Sequence, residues 1–415
     1  MSAAVFSLLA MILIFPQSFF ILKIPLILFI LFGIIIKGAQ GILKLRSHWY
    51  IYYYFIFVFL SLIWSAIGLI RGNPEIAVIE SIRLYVIYML LYMIITLYVS
   101  NINYYRGVDA LFILSSVGIS FVALWVLLDG VFSIQTIPTF IAEEMLLEIG
   151  IHDGYIQMNN INIGMLNFIA PYLLARFLVN EKSGYKFLLV FALMAAVTGG
   201  ILASRRIVLV VTLLAPVLTL MLIRLVGVSS RGIKVKVIFF YSFIALVFIS
   251  LTLTDVAFKD GILDRLFSIF NTDPNEPRPL QHLALMRGFM DHPILGSGFG
   301  GLTSEVRSYD RPWTYELTYS KLLFNSGLMG LFLLIAFFLV FLFRVIIKLK
   351  KSEMKDIQIP LLVGLFSVLI AAASNPYLSS FDFLFVFSII PLIINSEDKI
   401  KTSITHTSRF SMTSN

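Results

Sequence analysis

Apolar runs of about twenty residues recur along almost the whole chain, each closed by a short polar or glycine-containing break. A helix of about 20 apolar residues crosses a ~30 Å hydrocarbon core. Only elements that satisfy their own backbone hydrogen bonds survive there, so each run is predicted to be a helix. The pattern predicts twelve spans, at 3–20, 24–43, 50–70, 76–99, 107–128, 160–180, 185–203, 206–226, 236–254, 322–346, 358–375 and 380–395. Pro16 and Lys23 interrupt the first pair, where one tilted span with a re-entrant piece reads equally well. The opening MSAAVFSLLAMILIF has no basic n-region and reads as a first span, not a cleaved signal. Two polar stretches are longer than simple connectors: 129–159 and 255–321. The second contains amphipathic segments and is expected to carry short helices. From Ser396 the chain is rich in Ser and Thr and is expected to be a disordered tail, 396–415. The fold class is therefore all-α: a single polytopic integral membrane domain, 1–415, with one large outer loop, 255–321.

Composition sharpens this. Hydrophobic residues make up 59% of the chain and charged residues 13%, against about 25% charged in soluble proteins. Mean hydropathy is +0.95. There is no cysteine, which excludes disulfides, thiolate nucleophiles and Cys-ligated metals. If the N-terminus lies inside, the predicted inner loops and helix ends hold nineteen of the 31 Lys and Arg residues, among them Arg176, Lys236, Arg344 and Lys348. The 129–159 loop has none. This bias orients both termini and the tail to the cytoplasm and both long polar loops to the outside. The net charge of +8 then follows from topology and gives no reason to invoke nucleic acid.

Some basic residues oppose the bias. Arg205 and Arg206 join two spans at the predicted outer face, and Arg83 sits in an apolar run three residues after Glu80. A cation in or beside the membrane core costs ~2.5 kcal/mol or more and needs a partner or a task. The plain readings are an i,i+3 ion pair for Arg83 and headgroup snorkelling for the other two. The functional reading is an anion site, because guanidinium forks suit phosphate oxygens. In the outer loop, HPILGSGFGG (292–301) packs four glycines into ten residues, after Arg287 and Asp291. His292 reads as a turn residue or a binding group. Gly296 and Gly298 permit a tight turn whose N–H groups are candidates to cradle an anion or a sugar. Further on, Arg311, Glu316 and Tyr319 stand near the mouth of the tenth span. The plain reading of Glu316 is a helix-start charge paired with Arg311 or Lys321. Gly327 and Gly330 read as small residues for helix packing, and Trp313, Tyr315 and Tyr319 as interfacial aromatics that also suit sugars.

Taken in order, the ASRR turn (203–206), HPILGSGFGG, ELTYSKLLFNSGLMG (316–330) and SNPYLSSFDF (374–383) resemble the C-terminal half of the O-antigen polymerase and O-antigen ligase superfamily of bacterial surface-polysaccharide proteins. Ligases of that superfamily carry a His-Asn-type pair, nine residues, then Gly-x-x-Gly. Here Glu316 and Leu317 occupy the pair and Gly327 and Gly330 the glycines, a departure that points to the polymerase branch. The resemblance covers roughly residues 200–385; the first half agrees only in hydropathy. It implies a GT-C-like helical fold in the bacterial inner membrane. It also implies glycosyl transfer between undecaprenyl-pyrophosphate-linked oligosaccharides at the periplasmic face, with a chain-length regulator protein as a further partner. A ligase, or less readily a lipid-linked oligosaccharide flippase, is the alternative. Under the polymerase reading Glu316 and Arg287 are catalytic, Glu316 as the base and Arg287 neutralising the pyrophosphate. Arg205, Arg206, Arg83, His292, Gly296, Gly298, Arg311 and Tyr319 bind substrate. No Asp-x-Asp motif occurs, and no metal or cofactor is implied.

Overall fold

The computed structural model describes residues 2–41, 49–99, 105–132, 136–145, 147–152, 155–159, 161–180, 186–203, 205–229, 231–253 and 277–395. The start of the predicted outer loop, 255–276, and the predicted tail, 396–415, lie outside these residues. Helices α1 (Ser2–Ile14), α2 (Phe20–Ala39) and α3 (Trp49–Ile70) open the chain. Helix α4 (Glu75–Ile82) passes through a π-helical turn, Arg83–Ile87, into α5 (Tyr88–Val99). Next come α6 (Tyr105–Phe132), a short α7 (Thr139–Glu144), and an antiparallel hairpin of β1 (Glu148–His152) and β2 (Tyr155–Asn159). A 3-10 turn, Ile161–Met165, leads into α8 (Leu166–Val179), followed by α9 (Lys186–Leu202), α10 (Arg206–Val226) and α11 (Arg231–Leu253). Helix α12 (Pro277–Asp291) belongs to the predicted outer loop. Helices α13 (Thr318–Lys351), α14 (Lys355–Ala371) and α15 (Ile389–Asn395) end the described chain.

Helical structure stands at each of the twelve predicted positions. Seven of the described helices are long and apolar enough to cross a membrane: Phe20–Ala39, Ile51–Ile70, Glu75–Val99, Gly107–Gly130, Asn162–Val179, Arg206–Val226 and Thr318–Lys351. Shorter apolar helices at Ala3–Ile14, Lys186–Leu202 and Asp382–Ile394 accompany them. This is the architecture of a helical membrane protein. Its periphery is apolar: Ile21, Phe187, Phe239 and Phe332 are among many large hydrophobic side chains left exposed. An aqueous surface would not carry so many.

Helix α8 is the hub. Its residues from Leu166 to Ala175 are all buried, the pattern of a helix apolar on every side and enclosed by others. It packs on α14, α10, α9 and α6. Small residues bring the backbones close. Gly364 of α14 faces the ring of Phe168, where a Cβ would come within 2.7 Å. At the α6–α9 contact, Ser116 donates to Ala192 O and Ser120 to Ala195 O, both at 2.6 Å. Such contacts stand in for the hydrophobic drive that lipid does not supply.

Polar contacts mark two ends of the bundle. At one, Arg176 (α8) grips Asp109 (α6) through Nη2 at 2.8 Å and Asp356 (α14) through Nη1 at 2.9 Å. There too, Lys236 donates to Leu178 O at 2.8 Å. At the other end, Trp313 donates to Glu80 at 2.7 Å, and Thr318 donates to Asn375 O at 3.1 Å. Described parts of the connections predicted as outer also meet one another: Asn73 donates to Ser297 O and the Phe19 N–H to Glu144, both at 2.9 Å.

The N-terminal pair of helices is tied in by one buried ion pair. After α1 the chain turns at Pro16, with Gln17 and Phe19 in the left-handed region at φ 60° and 55°. Lys23 Nζ then reaches Asp382 Oδ1 at 2.7 Å, with both side chains wholly buried. Lys23 also donates to Phe15 O at 2.6 Å, and the Gln17 N–H donates to Asp382 Oδ2 at 2.7 Å. Every strong group in the cluster is therefore partnered. Lys23, which at the level of sequence only disturbs the apolar run, is the residue that docks it.

Breaking such a pair from one side leaves a buried charge. Asp382→Asn or Lys23→Met alone is expected to cost about 3–5 kcal/mol, whereas the double variant Lys23→Met/Asp382→Leu recovers most of it. Thermal unfolding in nanodiscs checks this; equal losses in the single and double variants would mean that the pair is not the tie.

Candidate functional site

The glycine-rich segment has a buried and specific place. Helix α13 is not continuous: Gly327 sits at φ 62°, ψ −171°, so the i→i−4 ladder is broken inside an apolar helix. A break there strands carbonyls above it and N–H groups below it, each costing several kcal/mol in hydrocarbon if left unpaired. The glycine loop satisfies both sets. The N–H of Ser297 donates to Phe324 O at 2.8 Å and that of Gly298 to Asn325 O at 2.9 Å. In return the N–H groups of Leu328 and Met329 donate to Pro293 O and Ile294 O at 2.9 and 3.0 Å. Helix α3 closes the assembly. Trp64 Nε1 donates to Leu295 O and Ser326 O at 2.9 and 3.0 Å, and Trp64 O accepts from the Phe299 N–H at 2.9 Å. Asn73 Nδ2 donates to Ser297 O and Phe299 O.

The glycines are there for contact. Gly298 has φ 79°, and a Cβ on it would lie 2.2 Å from the Gly68 nitrogen; Gly327, at φ 62°, would meet Ile294 O at 2.4 Å. This corrects the sequence-based role of Gly296 and Gly298. The Gly296 N–H is taken by His292 O at 2.9 Å and the Gly298 N–H by Asn325 O, so neither is available to an anion or a sugar. It also revises Gly327, which breaks a helix and receives a loop instead of easing helix–helix packing.

Around this lock lies an apolar cleft of about 380 Å³ between α3 and α13. Phe57, Trp64, Tyr85, Phe299, Leu334 and Phe338 line it, with polar groups from Ser61, Tyr319, Lys321 and Asn325. Asn325 is buried, and its Oδ1 has no hydrogen-bond partner among the described residues. Tyr85 belongs to the π-helical turn and lies against Phe299, ring centroids 5.3 Å apart. Lys321 is close enough to Glu80 to feel its charge.

Just above the cleft, two residues before Thr318, is Glu316. Its Oε2 is bonded to Arg278 Nε and its Oε1 to Arg307 Nε at 3.1 Å. Its N–H donates to Gln281 at 2.7 Å, and the next residue of α12, His282, meets Ser320 Oγ through Nδ1 at 2.9 Å. Arg205 belongs to the same region. Burial pushes the Tyr377 phenol above its ordinary range, while the nearby charges of Arg205 and Arg278 pull it back. Two guanidinium groups from separate stretches of chain, Arg278 and Arg307, thus hold Glu316, while the charge of Arg205 acts on Tyr377.

The sequence-predicted residues divide accordingly. Tyr319 lines the cleft and donates to Leu369 O, Glu316 stands two residues before the lining residue Thr318, and Arg205 is half-buried, its charge acting on Tyr377. Glu316 pairs with Arg278 and Arg307 in place of Arg311 or Lys321. Arg287 is exposed. It lies nine residues beyond Arg278 on α12, roughly 13 Å along the axis and half a turn around it, so it does not join Glu316. His292 is exposed beyond the far end of α12, and Arg206 and Arg311 are also exposed. Arg83 is 4.0 Å from Glu80 with its side chain 55% exposed, a loose version of the expected pair, since Glu80 is held by Trp313. Sequence reasoning passed over Arg278, Arg307 and His282. The available signal was the i,i+3,i+4 spacing of Arg278, Gln281 and His282, which puts all three on one face of α12. Among the described residues no group of three or more His, Cys, Asp or Glu side chains could hold a metal. No model of a known protein family matches the chain, and no curated protein matches it.

The lock makes a direct expectation. Gly298→Ala forces a Cβ into the α3 backbone at a positive φ, and overpacking of this kind costs about 1–3 kcal/mol before any strain. Trp64→Phe keeps the ring and removes the donor to two carbonyls, at about 1–3 kcal/mol. Both variants should lower the melting temperature and raise amide exchange at residues 294–299 and 324–329. Unchanged protection in both would show that the loop is not what completes the broken helix.

Proposed function

We propose that this protein polymerises lipid-pyrophosphate-linked oligosaccharide repeat units by glycosyl transfer. On this reading it is a GT-C-like protein with twelve spans in the bacterial inner membrane, and the Glu316 end faces the periplasm. The observation that carries the proposal is an apolar cleft next to a pair of arginines: the lining residue Thr318 stands two residues after Glu316, which Arg278 and Arg307 hold, and guanidinium groups suit phosphate. The order of the ASRR, glycine-loop, Gly-x-x-Gly and Asn-Pro segments along the chain supports it as well, and the glycine loop bonds to the helix broken at Gly327, whose Thr318 donates to Asn375 O. The basic bias supports the orientation, because Arg176, Lys236, Arg344 and the Lys348–Lys351 run lie at the end away from Glu316.

The chemistry follows from the contacts. Arg278, Arg307 and Arg205 neutralise the pyrophosphate as the glycosidic bond breaks and charge grows on the leaving oxygen. The polyprenyl tail lies in the cleft. Glu316 holds the arginines in place before substrate arrives. Pyrophosphate then competes for Arg278 and Arg307 and frees the carboxylate, at the mouth of the cleft, to take the proton of the attacking sugar hydroxyl. Trp313 and Tyr319 offer faces for the sugars. Of the basic residues singled out in the sequence, Arg205 keeps a phosphate role; Arg278 takes the one first given to Arg287.

Purified protein with a lipid-linked repeat unit tests this. Arg278→Ala should abolish long chains while Arg278→Lys restores little, because a point charge lacks the planar fork. Glu316→Gln should lower the single-turnover rate by about 10²–10⁴-fold. Arg287→Ala should stay near wild type. Full chain-length ladders from Arg278→Ala, or full activity in Glu316→Gln, would remove these residues from the mechanism. Lipid-linked sugar crossing the bilayer without any new bond would replace the polymerase with a flippase.

A further inference from the structure

Leu60 and Phe337 line the cleft described above, and they also line a second groove along the same α3–α13 seam. This groove measures about 780 Å³ and is walled by Trp49, Tyr52, Ile56, Leu333, Val340 and Phe341, with Arg344 as its charged residue. It opens to the bilayer, since Tyr52, Ile56 and Val340 are themselves exposed. Its mouth is at the basic end: Arg344 lies about 25 Å along α13 from the Gly327 break, close to the full ~30 Å hydrocarbon depth. Lys348, Lys350 and Lys351 follow in the last turn of the helix.

Arg344 is fixed in a particular way. Its guanidinium carbon stands 3.5 Å from the centroid of the Trp49 ring. Among the described residues no carboxylate pairs with it; the ion pairs there are those of Lys23, Arg83, Arg176, Arg278 and Arg307. Stacking on an indole holds a guanidinium by its face and leaves its N–H edge to bond oxygen anions. Trp49 also sets the depth, because Trp prefers the headgroup level. A fixed cation at headgroup depth, over an apolar groove open to lipid, complements one molecule: phosphate above, acyl chain below.

We propose that α3 and α13 form a binding site for an anionic glycerophospholipid of the leaflet at the basic end, its phosphate on Arg344 and one acyl chain in the groove. The site lies at the opposite end of the seam from Glu316 and is independent of the glycan reading. Phosphatidylglycerol is the probe. In native mass spectrometry of the full chain, phosphatidylglycerol should be retained at least about ten-fold over phosphatidylcholine with the same acyl chains, because net headgroup charge is the difference. Arg344→Gln should abolish the preference, Arg344→Lys should keep part of it, and Leu333→Trp, which fills the groove, should lower retention of both lipids. Equal retention of the two lipids by wild type, or an intact preference in Arg344→Gln, overturns the proposal. Wild-type protein gives a second readout that needs no variant. A phosphatidylglycerol with a photoreactive tail should label peptides spanning 49–60 and 333–344, and labelling confined to other helices overturns the site. Inorganic phosphate should leave the lipid bound; displacement by phosphate alone would mean an ion site without a role for the groove.

Discussion

A broken helix in hydrocarbon must find partners for every backbone group it exposes. Gly327 creates that demand in α13, and the segment from Pro293 to Phe299 meets it almost atom for atom. Donors of the loop go to the carbonyls above the break, and carbonyls of the loop accept from the N–H groups below it. Trp64 of α3 then bonds to both pieces. The result is a three-way node in which α3, the glycine loop and α13 are mutually required. The α3–α13 seam, with its apolar cleft, is held open beside this node because the backbone, not side-chain filling, fixes the spacing.

The same constraint explains where the charges went. Among the described residues, the buried Lys and Arg side chains occur in closed sets: Lys23 with Asp382 and two backbone partners, and Arg176 with two carboxylates and a carbonyl. Each ties together helices distant in sequence and leaves little free charge inside. The cluster around Glu316 differs. Arg278 and Arg307 have side chains about half exposed, and their shared carboxylate is one that an incoming anion can displace. A structural set and a binding set can thus be told apart by exposure and by whether the anion already present is replaceable. Arg344 extends the contrast, being held by a ring face with no carboxylate among the described residues at its edge.

Much of the architecture was legible along the chain. Apolar runs of membrane-crossing length dictate helices because the bilayer accepts little else, and a helix stands at every position so predicted. Arg176, Lys236 and Arg344, which the basic bias grouped together, lie at the end of the bundle away from Glu316. The glycine-rich segment announced itself by composition, and the polar stretch after it holds Glu316, which the structure pairs with Arg278 and Arg307. What it does was not legible. Four glycines in ten residues read equally well as an open anion cradle or as a close-packed backbone, and only the partners of their N–H groups separate the two.

Periodicity, length and charge sign are local properties, and from them the sequence alone determined a helical membrane protein, its approximate helix positions and a polar region worth attention. Which charges meet is a long-range property. Lys23 and Asp382 are 359 residues apart, and Arg307 reached Glu316 while Arg311, nearer in sequence, did not. Arg287 was set apart from the site by half a turn of helix, a displacement that appears only once α12 is placed against α13. Tertiary structure decided these pairings because each depends on which helix faces present themselves when the bundle closes, and the chain order of the helices does not encode that.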